Sequence, residues 1–172
     1  NEDIQVASVV MDPNNGKILA LVGGRNYAKS QYNRATDSKR QVGSTIKPFL
    51  YYAALENGFT SSTTFTSEKT TFTFSYDKTY SPKNYGDIYA QKPITMAAAI
   101  AYSDNIYAVK THLFLGEDTL VNLTSRIGIN DKLEPIPSLA LGSQEINLVD
   151  MTEAYSTFAN EGYKVDGYFI EK

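Results

Sequence analysis

The sequence predicts an α+β fold, a helical block packed on an antiparallel sheet, and three observations carry that expectation. Two apolar runs, residues 6–11 and 18–22, flank the turn-forming string Pro13-Asn14-Asn15-Gly16, which is the pattern of a β-hairpin. From residue 43 onward the apolar residues recur mostly at helical spacing. A short apolar run, residues 168–170, returns to strand character near the end. A two-stranded sheet is rarely stable alone, so the hairpin is expected to pair with later strands that these 172 residues do not contain.

The elements follow in order. Gly23-Gly24 closes the second strand, and the polar, aperiodic residues 25–41 read as a long surface connection. A helix is expected to start close to Ser44, because Pro48 lacks an N–H and is tolerated only in a first turn; Asn57-Gly58 ends it. Residues 60–75 hold eleven Ser or Thr, with Phe72 and Phe74 alternating near the end, which suits a loop running into an exposed strand. Residues 94–101 and 106–115 read as two helices separated by the polar break Tyr102-Ser103-Asp104-Asn105. Two more helices are expected over 117–127 and 148–160, the second capped by Asn147 and stopped near Gly162.

Composition narrows the function classes. A net charge of -3 and a sequence pI near 5.2 give no electrostatic basis for a nucleic-acid partner. No window reaches the roughly 18 consecutive apolar residues of a membrane helix, and the start lacks both a signal-peptide pattern and a Met, so the chain reads as cut from a longer protein. The absence of Cys excludes disulfides, thiolate catalysis and Cys-ligated metals. His112 has no clustered Asp, Glu or second His nearby and reads as a structural residue, so neither a metal nor a cofactor is expected. Most of the thirteen tyrosines read as core-edge and surface packing.

Chemistry is suggested at two places. Ser44 and Lys47 stand three apart at a helix start, on one face, a pairing of nucleophile and base. Lys47 can take a proton only if burial or nearby positive charge lowers its pKa. The helix N-terminus favours negative charge, so the N–H of Ser44 is placed to hold an oxyanion. Taken alone, the same four residues are equally a helix N-cap followed by a solvated lysine. Ser103-Asp104-Asn105, in the inter-helix break, offers a hydroxyl that can relay a proton and an amide that can bind a peptide carbonyl; it also reads as a plain helix cap.

The pairing of SxxK with SDN belongs, together with KTG, to the motif set of class A β-lactamases and penicillin-binding proteins. Several longer strings resemble the transpeptidase domain of class A penicillin-binding proteins. They are Arg40-Gln41-Val42-Gly43-Ser44-Thr45-Ile46-Lys47-Pro48-Phe49, Tyr80-Ser81-Pro82-Lys83-Asn84-Tyr85, Ala101-Tyr102-Ser103-Asp104-Asn105 and Pro137-Ser138-Leu139-Ala140-Leu141-Gly142. The similarity runs from Val10-Met11-Asp12-Pro13 to Ala154-Tyr155-Ser156-Thr157-Phe158-Ala159-Asn160-Glu161-Gly162.

That resemblance implies a penicillin-binding-protein and serine β-lactamase-like fold, with residues 1–172 forming the N-terminal portion of a transpeptidase domain. It implies that Ser44 attacks a D-Ala-D-Ala stem peptide with Lys47 as base, that Ser103 passes the proton to the leaving D-alanine, and that Asn105 binds the acylated donor. Tyr102, beside Ser103, is a further candidate for substrate contact. An amine of a second stem peptide would then form the cross-link, and β-lactams would mimic the donor. The implied setting is the outer face of the bacterial cytoplasmic membrane, with a glycosyltransferase domain and membrane anchor upstream that these residues do not include.

KTG itself does not occur here. Lys17, Lys110 and Lys172 are not followed by Thr-Gly, and Lys69 precedes Thr70-Thr71. In the family that strand adds a cation, a hydroxyl and the second oxyanion donor. The chain alone is therefore not expected to be acylated efficiently, and a later segment or second chain carrying KTG is expected to complete the site. A D,D-carboxypeptidase, with water as acceptor, differs only in the second step. A β-lactam-binding sensor shares the acylation. A β-lactamase is disfavoured because neither Glu134-Pro135-Ile136-Pro137 nor Glu145-Ile146-Asn147 reproduces the ExxLN pattern of a deacylating glutamate.

Overall fold

A computed structural model describes residues 4–74 and 77–170. Its strands are β1 (Ser8–Met11), β2 (Ile18–Val22), β3 (Lys39–Gln41), β4 (Thr64–Ser67), β5 (Phe72–Thr73), β6 (Thr79–Tyr80), β7 (Lys92–Thr95) and β8 (Glu145–Asn147). Its α-helices are α1 (Lys47–Glu56), α2 (Met96–Tyr102), α3 (Asn105–Leu115), α4 (Glu117–Arg126) and α5 (Leu148–Ala159). The α+β expectation is met. Among the described residues, however, the strands pair as four separate two-stranded ladders rather than as one sheet. The chain divides into two compact units, one of Asn1–Gln41, Thr124–Lys132 and Gln144–Lys172, the other of Val42–Leu123 and Leu133–Ser143.

In the first unit β1 and β2 form the expected antiparallel hairpin, with an irregularity in register between Val10 and Met11. Asp12 organises the turn, its carboxylate accepting from the Asn14 N–H at 2.9 Å and from both neighbouring asparagine amides at 3.0 Å. Helix α5 packs on β1 and starts where expected, the Asn147 side chain accepting from the Val149 N–H at 2.8 Å. Residues 25–41 are not wholly a surface connection. Ala35 is buried, and β3 pairs antiparallel with β8, about a hundred residues away, which no local pattern announces. Residues 168–170 form no strand. Tyr168 makes a single parallel bridge to Lys17, its N–H donating to the Gly16 carbonyl at 3.1 Å.

The second unit is the helical block. A 3-10 turn, Gly43–Ile46, runs directly into α1, with Pro48 in the first helical turn where its missing N–H costs nothing. Helix α1 buries Phe49, Leu50, Ala53 and Ala54; Phe49 and Leu50 each contribute about 1.5–3 kcal/mol by leaving water. Helix α3 is buried around most of its circumference, through Ile106, Tyr107, Ala108, Val109, Thr111 and His112, so its apolar residues do not form a single stripe. It packs against α1, α2, β4 and a further 3-10 segment, Pro137–Leu141. Helix α2 begins two residues later than expected, because Ile94 and Thr95 complete β7, which pairs with β4; the Thr95 hydroxyl then caps α2 by accepting from Ala98 N–H. The Ser/Thr-rich stretch thus contains β4, whose last residue Ser67 is fully buried rather than exposed, and β5. Ser75, the end of that stretch, lies outside the described residues.

Candidate active site

The nucleophile candidate sits in a turn whose geometry sets its direction. Over a 3-10 turn there are three residues per turn, so side chains at i and i+3 eclipse. Lys47 N–H donates to the Ser44 carbonyl, closing such a turn, and the two side chains lie on one face. Ser44 is exposed, whereas Lys47 is 3% exposed. The solvated lysine that an isolated SxxK permits is thereby corrected, since α1 packs against α2 and α3 and covers the stem.

Lys47 reaches across to the α2–α3 break. Its Nζ donates to the Ser103 carbonyl at 2.7 Å, to the Ser103 hydroxyl at 2.9 Å and to Asn105 Oδ1 at 2.6 Å. Burial lowers its pKa from 10.5 to about 8, against the opposing pull of the Asp104 carboxylate. A shift of that size favours the neutral amine by on the order of 3 kcal/mol relative to water. Two of the three acceptors, a carbonyl and an amide oxygen, can only accept. The Ser103 hydroxyl can reverse and donate, so it is the partner that adapts when Lys47 loses or gains a proton.

The break is narrower than expected, consisting of Ser103 and Asp104 alone. Asp104 N–H donates to the Ala99 carbonyl at 2.9 Å and Ser103 N–H to the Ile100 carbonyl at 3.2 Å. This is the Schellman arrangement, with Ser103 in the left-handed position, at φ 53°, that glycine ordinarily holds. A serine there costs backbone strain on the order of 1 kcal/mol, and the strained residue is the one that meets Lys47. Asp104 immediately caps α3, accepting from the Tyr107 N–H at 2.7 Å. The plain cap reading thus holds for Asp104, while Ser103 and Asn105 on either side of it face the lysine.

Behind the break lies a polar brace. Asn84 Oδ1 accepts from the Asn105 N–H at 2.8 Å and the Ile106 N–H at 3.3 Å, and its Nδ2 donates to Asp104 Oδ2 at 2.7 Å and the Ile88 carbonyl at 3.0 Å. The Ser67 hydroxyl donates to the same Asp104 oxygen, and Asn105 Nδ2 donates to the Lys83 carbonyl at 2.6 Å. Asn84→Ala is expected to lower stability by about 2–4 kcal/mol, because it removes several bonds from one partly buried network. Thermal unfolding of the variant beside the unsubstituted protein measures the loss.

A second brace lies beneath Ser44. Gly43 N–H donates to the Gly142 carbonyl at 3.1 Å, and the two backbones come so close that a Cβ on Gly142 would lie 2.1 Å from Gly43 O.

The structure therefore brings Lys47, Ser103 and Asn105 into one hydrogen-bonded cluster with Ser44 one turn away. Tyr102 is not part of it, being the last residue of α2 and 85% exposed. His112 is fully buried on α3. Asn84, Asp104 and Ser67 were not singled out from sequence. The first two lie inside strings that carry the resemblance and could have been found there. Ser67 sits in a monotonous Ser/Thr run, where only its contact with a residue 37 positions on distinguishes it.

A family model described as the penicillin-binding protein transpeptidase domain matches residues 6–172. Penicillin-binding protein 2D of Bacillus subtilis is 51% identical over 171 residues, covering 99% of this chain and 25% of that protein. Penicillin-binding protein 1A of Pseudomonas aeruginosa is 38% identical over 170 residues, 98% of this chain and 21% of the relative. The crystal structure of penicillin-binding protein 1A from Haemophilus influenzae superposes with a TM-score of 0.92 at 37% identity, over 98% of this chain and 25% of that one. The PonA1 protein of Mycobacterium tuberculosis in complex with penicillin V shares the fold, with a TM-score of 0.82 at 24% identity over 99% of this chain and 48% of that one. The chain spans about a quarter or less of the length of these curated relatives.

Proposed function

Because the chain belongs to the penicillin-binding protein transpeptidase domain family, we propose that it carries the acylating half of a peptidoglycan cross-linking D,D-transpeptidase, a part of the transpeptidase domain spanning residues 1–172. The observation that carries this reading is the buried Lys47 amine bonded to Ser103 and Asn105, with Ser44 eclipsed above it.

In the proposed reaction neutral Lys47 takes the Ser44 proton as Oγ attacks the carbonyl carbon of the penultimate D-alanine. The Ser44 N–H lies in the first turn, where an N–H has no helical partner, and it faces the forming oxyanion. When the C–N bond breaks, the Ser103 hydroxyl gives its proton to the departing D-alanine amine and is replenished from Lys47. Asn105 holds the donor through its amide, and exposed Tyr102 offers a ring beside it. An amine of a second stem peptide then displaces Ser44 from the ester. A β-lactam follows the same first step, but its leaving nitrogen stays tethered and the adduct persists. No metal or cofactor takes part. In this reading the domain works on the outer face of the cytoplasmic membrane, and the KTG element and the membrane attachment are assigned to polypeptide other than these residues.

Mass spectrometry of the acylation-competent protein with penicillin should find one adduct, on Ser44, lost in Ser44→Ala. An adduct elsewhere, or one retained in Ser44→Ala, would reject the assignment. With lipid-linked peptidoglycan as substrate, cross-linked products support transpeptidation, whereas trimmed, uncross-linked stems would show a carboxypeptidase.

A further inference from the structure

The one histidine of the chain lies outside this site and is nevertheless tied to it. His112 has no exposed surface, and its Nε2 is 3.1 Å from the Ile136 carbonyl oxygen. Only a protonated Nε2 makes that contact favourable, so Nε2 donates and Nδ1 is a lone pair. Nδ1 is buried without a hydrogen-bond partner among the described residues. An apolar side chain of similar volume would leave no such unpaired acceptor. Stability alone therefore does not favour histidine at this position, and what the imidazole supplies is the bond to Ile136.

Ile136 begins a chain of contacts that ends at the nucleophile. Its carbonyl also accepts from the Leu139 N–H at 3.0 Å, the Leu139 carbonyl from the Gly142 N–H at 2.9 Å, and the Gly142 carbonyl from the Gly43 N–H at 3.1 Å. Gly43 immediately precedes Ser44. The links are stiff, because Pro137–Leu141 is a 3-10 segment packed on α3 and the Gly142–Gly43 approach leaves no room for a side chain.

We propose that His112 is a positioning residue for acylation: by pinning Ile136 it sets the Pro137–Leu141 segment and, through Gly142 and Gly43, the placement of Ser44 against Lys47. It touches neither substrate nor the lysine. The proposal rests on Ser44 being the nucleophile.

The test compares His112→Leu with His112→Gln in the acylation-competent protein, separating the penicillin acylation rate constant from the dissociation constant of the noncovalent complex. Leucine fills the space and cannot donate; the glutamine amide nitrogen reaches the place of Nε2. His112→Leu is expected to slow acylation about tenfold with noncovalent binding changed less than about twofold, as a small displacement of a reacting group would, and His112→Gln to restore the rate to within about threefold. A folded His112→Leu that acylates at the unsubstituted rate, or a His112→Gln as slow as His112→Leu, overturns the proposal. If His112→Leu does not fold, His112→Asn, too short to reach Ile136, replaces it. Slower acylation by His112→Asn than by His112→Gln supports the proposal, and equal rates overturn it. Failure of the unsubstituted protein to form a Ser44 adduct would instead reject the nucleophile assignment, and the proposal with it.

Discussion

Lys47→Met is expected to lower the rate of acylation at Ser44 by roughly 10²–10⁴-fold, the loss that follows removal of a positioned base. Methionine has nearly the length of lysine and suits the buried stem, so the packing of α1 is kept while the proton acceptor is lost. The pH dependence separates this from a packing effect. With the amine titrating at about 8, the unsubstituted rate should rise with pH up to about 8 and then level, because only the neutral form accepts a proton. Lys47→Met should show no such rise. Stability follows with a definite sign. The folded pKa lies below the unfolded value of 10.5, so between about 8 and 10.5 the unfolded chain binds more protons and this group's contribution increases with pH. It is complete above 10.5 and lost as pH falls through about 8. Acylation rates and unfolding temperatures over pH 6 to 11 measure both; a methionine variant within about tenfold of the original rate would remove Lys47 from its role.

Gly142→Ala is expected to cost on the order of 3 kcal/mol or more and to slow acylation by roughly 10²-fold. Two effects add. At φ +66° an alanine is strained by its own backbone, and its Cβ would stand 2.1 Å from Gly43 O and 2.5 Å from Gly43 N, both main-chain atoms that cannot swing aside. Relief requires the Gly43–Gly142 hydrogen bond to open, which shifts the turn carrying Ser44. Leu139→Ala offers a comparison. It removes apolar volume from the same buried segment, and should cost about 2–5 kcal/mol without placing any atom against Gly43. Calorimetry with acylation kinetics on the pair decides. Equal rates at matched stability would show that the close approach has no bearing on the nucleophile.

The local elements were legible from sequence for a common reason. The turn at residues 13–16, the Pro48 start of α1, the Asn147 cap of α5 and the stop after Leu115 all depend on interactions within about five residues, which adjacent side chains specify. The pairings were not. Strand β3 is three polar residues, Lys39, Arg40 and Gln41, whose partner β8 is about a hundred positions away, and the last two residues of β7, Ile94 and Thr95, read as the start of the helix that follows. A strand that short carries too few residues to display a period.

The candidate site divides in the same way. Sequence by itself determined that Ser44 and Lys47 share one face, since three-residue spacing at a helix start allows little else, and that a polar break at Ser103 separates two helices. Only the tertiary structure decided that the break faces Lys47, that Asn84 braces it and that Gly142 supports Gly43, because each contact joins residues at least 20 positions apart. The protonation of Lys47 belongs to this second class. Its pKa near 8 is a desolvation effect, set by how completely packing removes the amine from water, and no arrangement of neighbouring residue types expresses that.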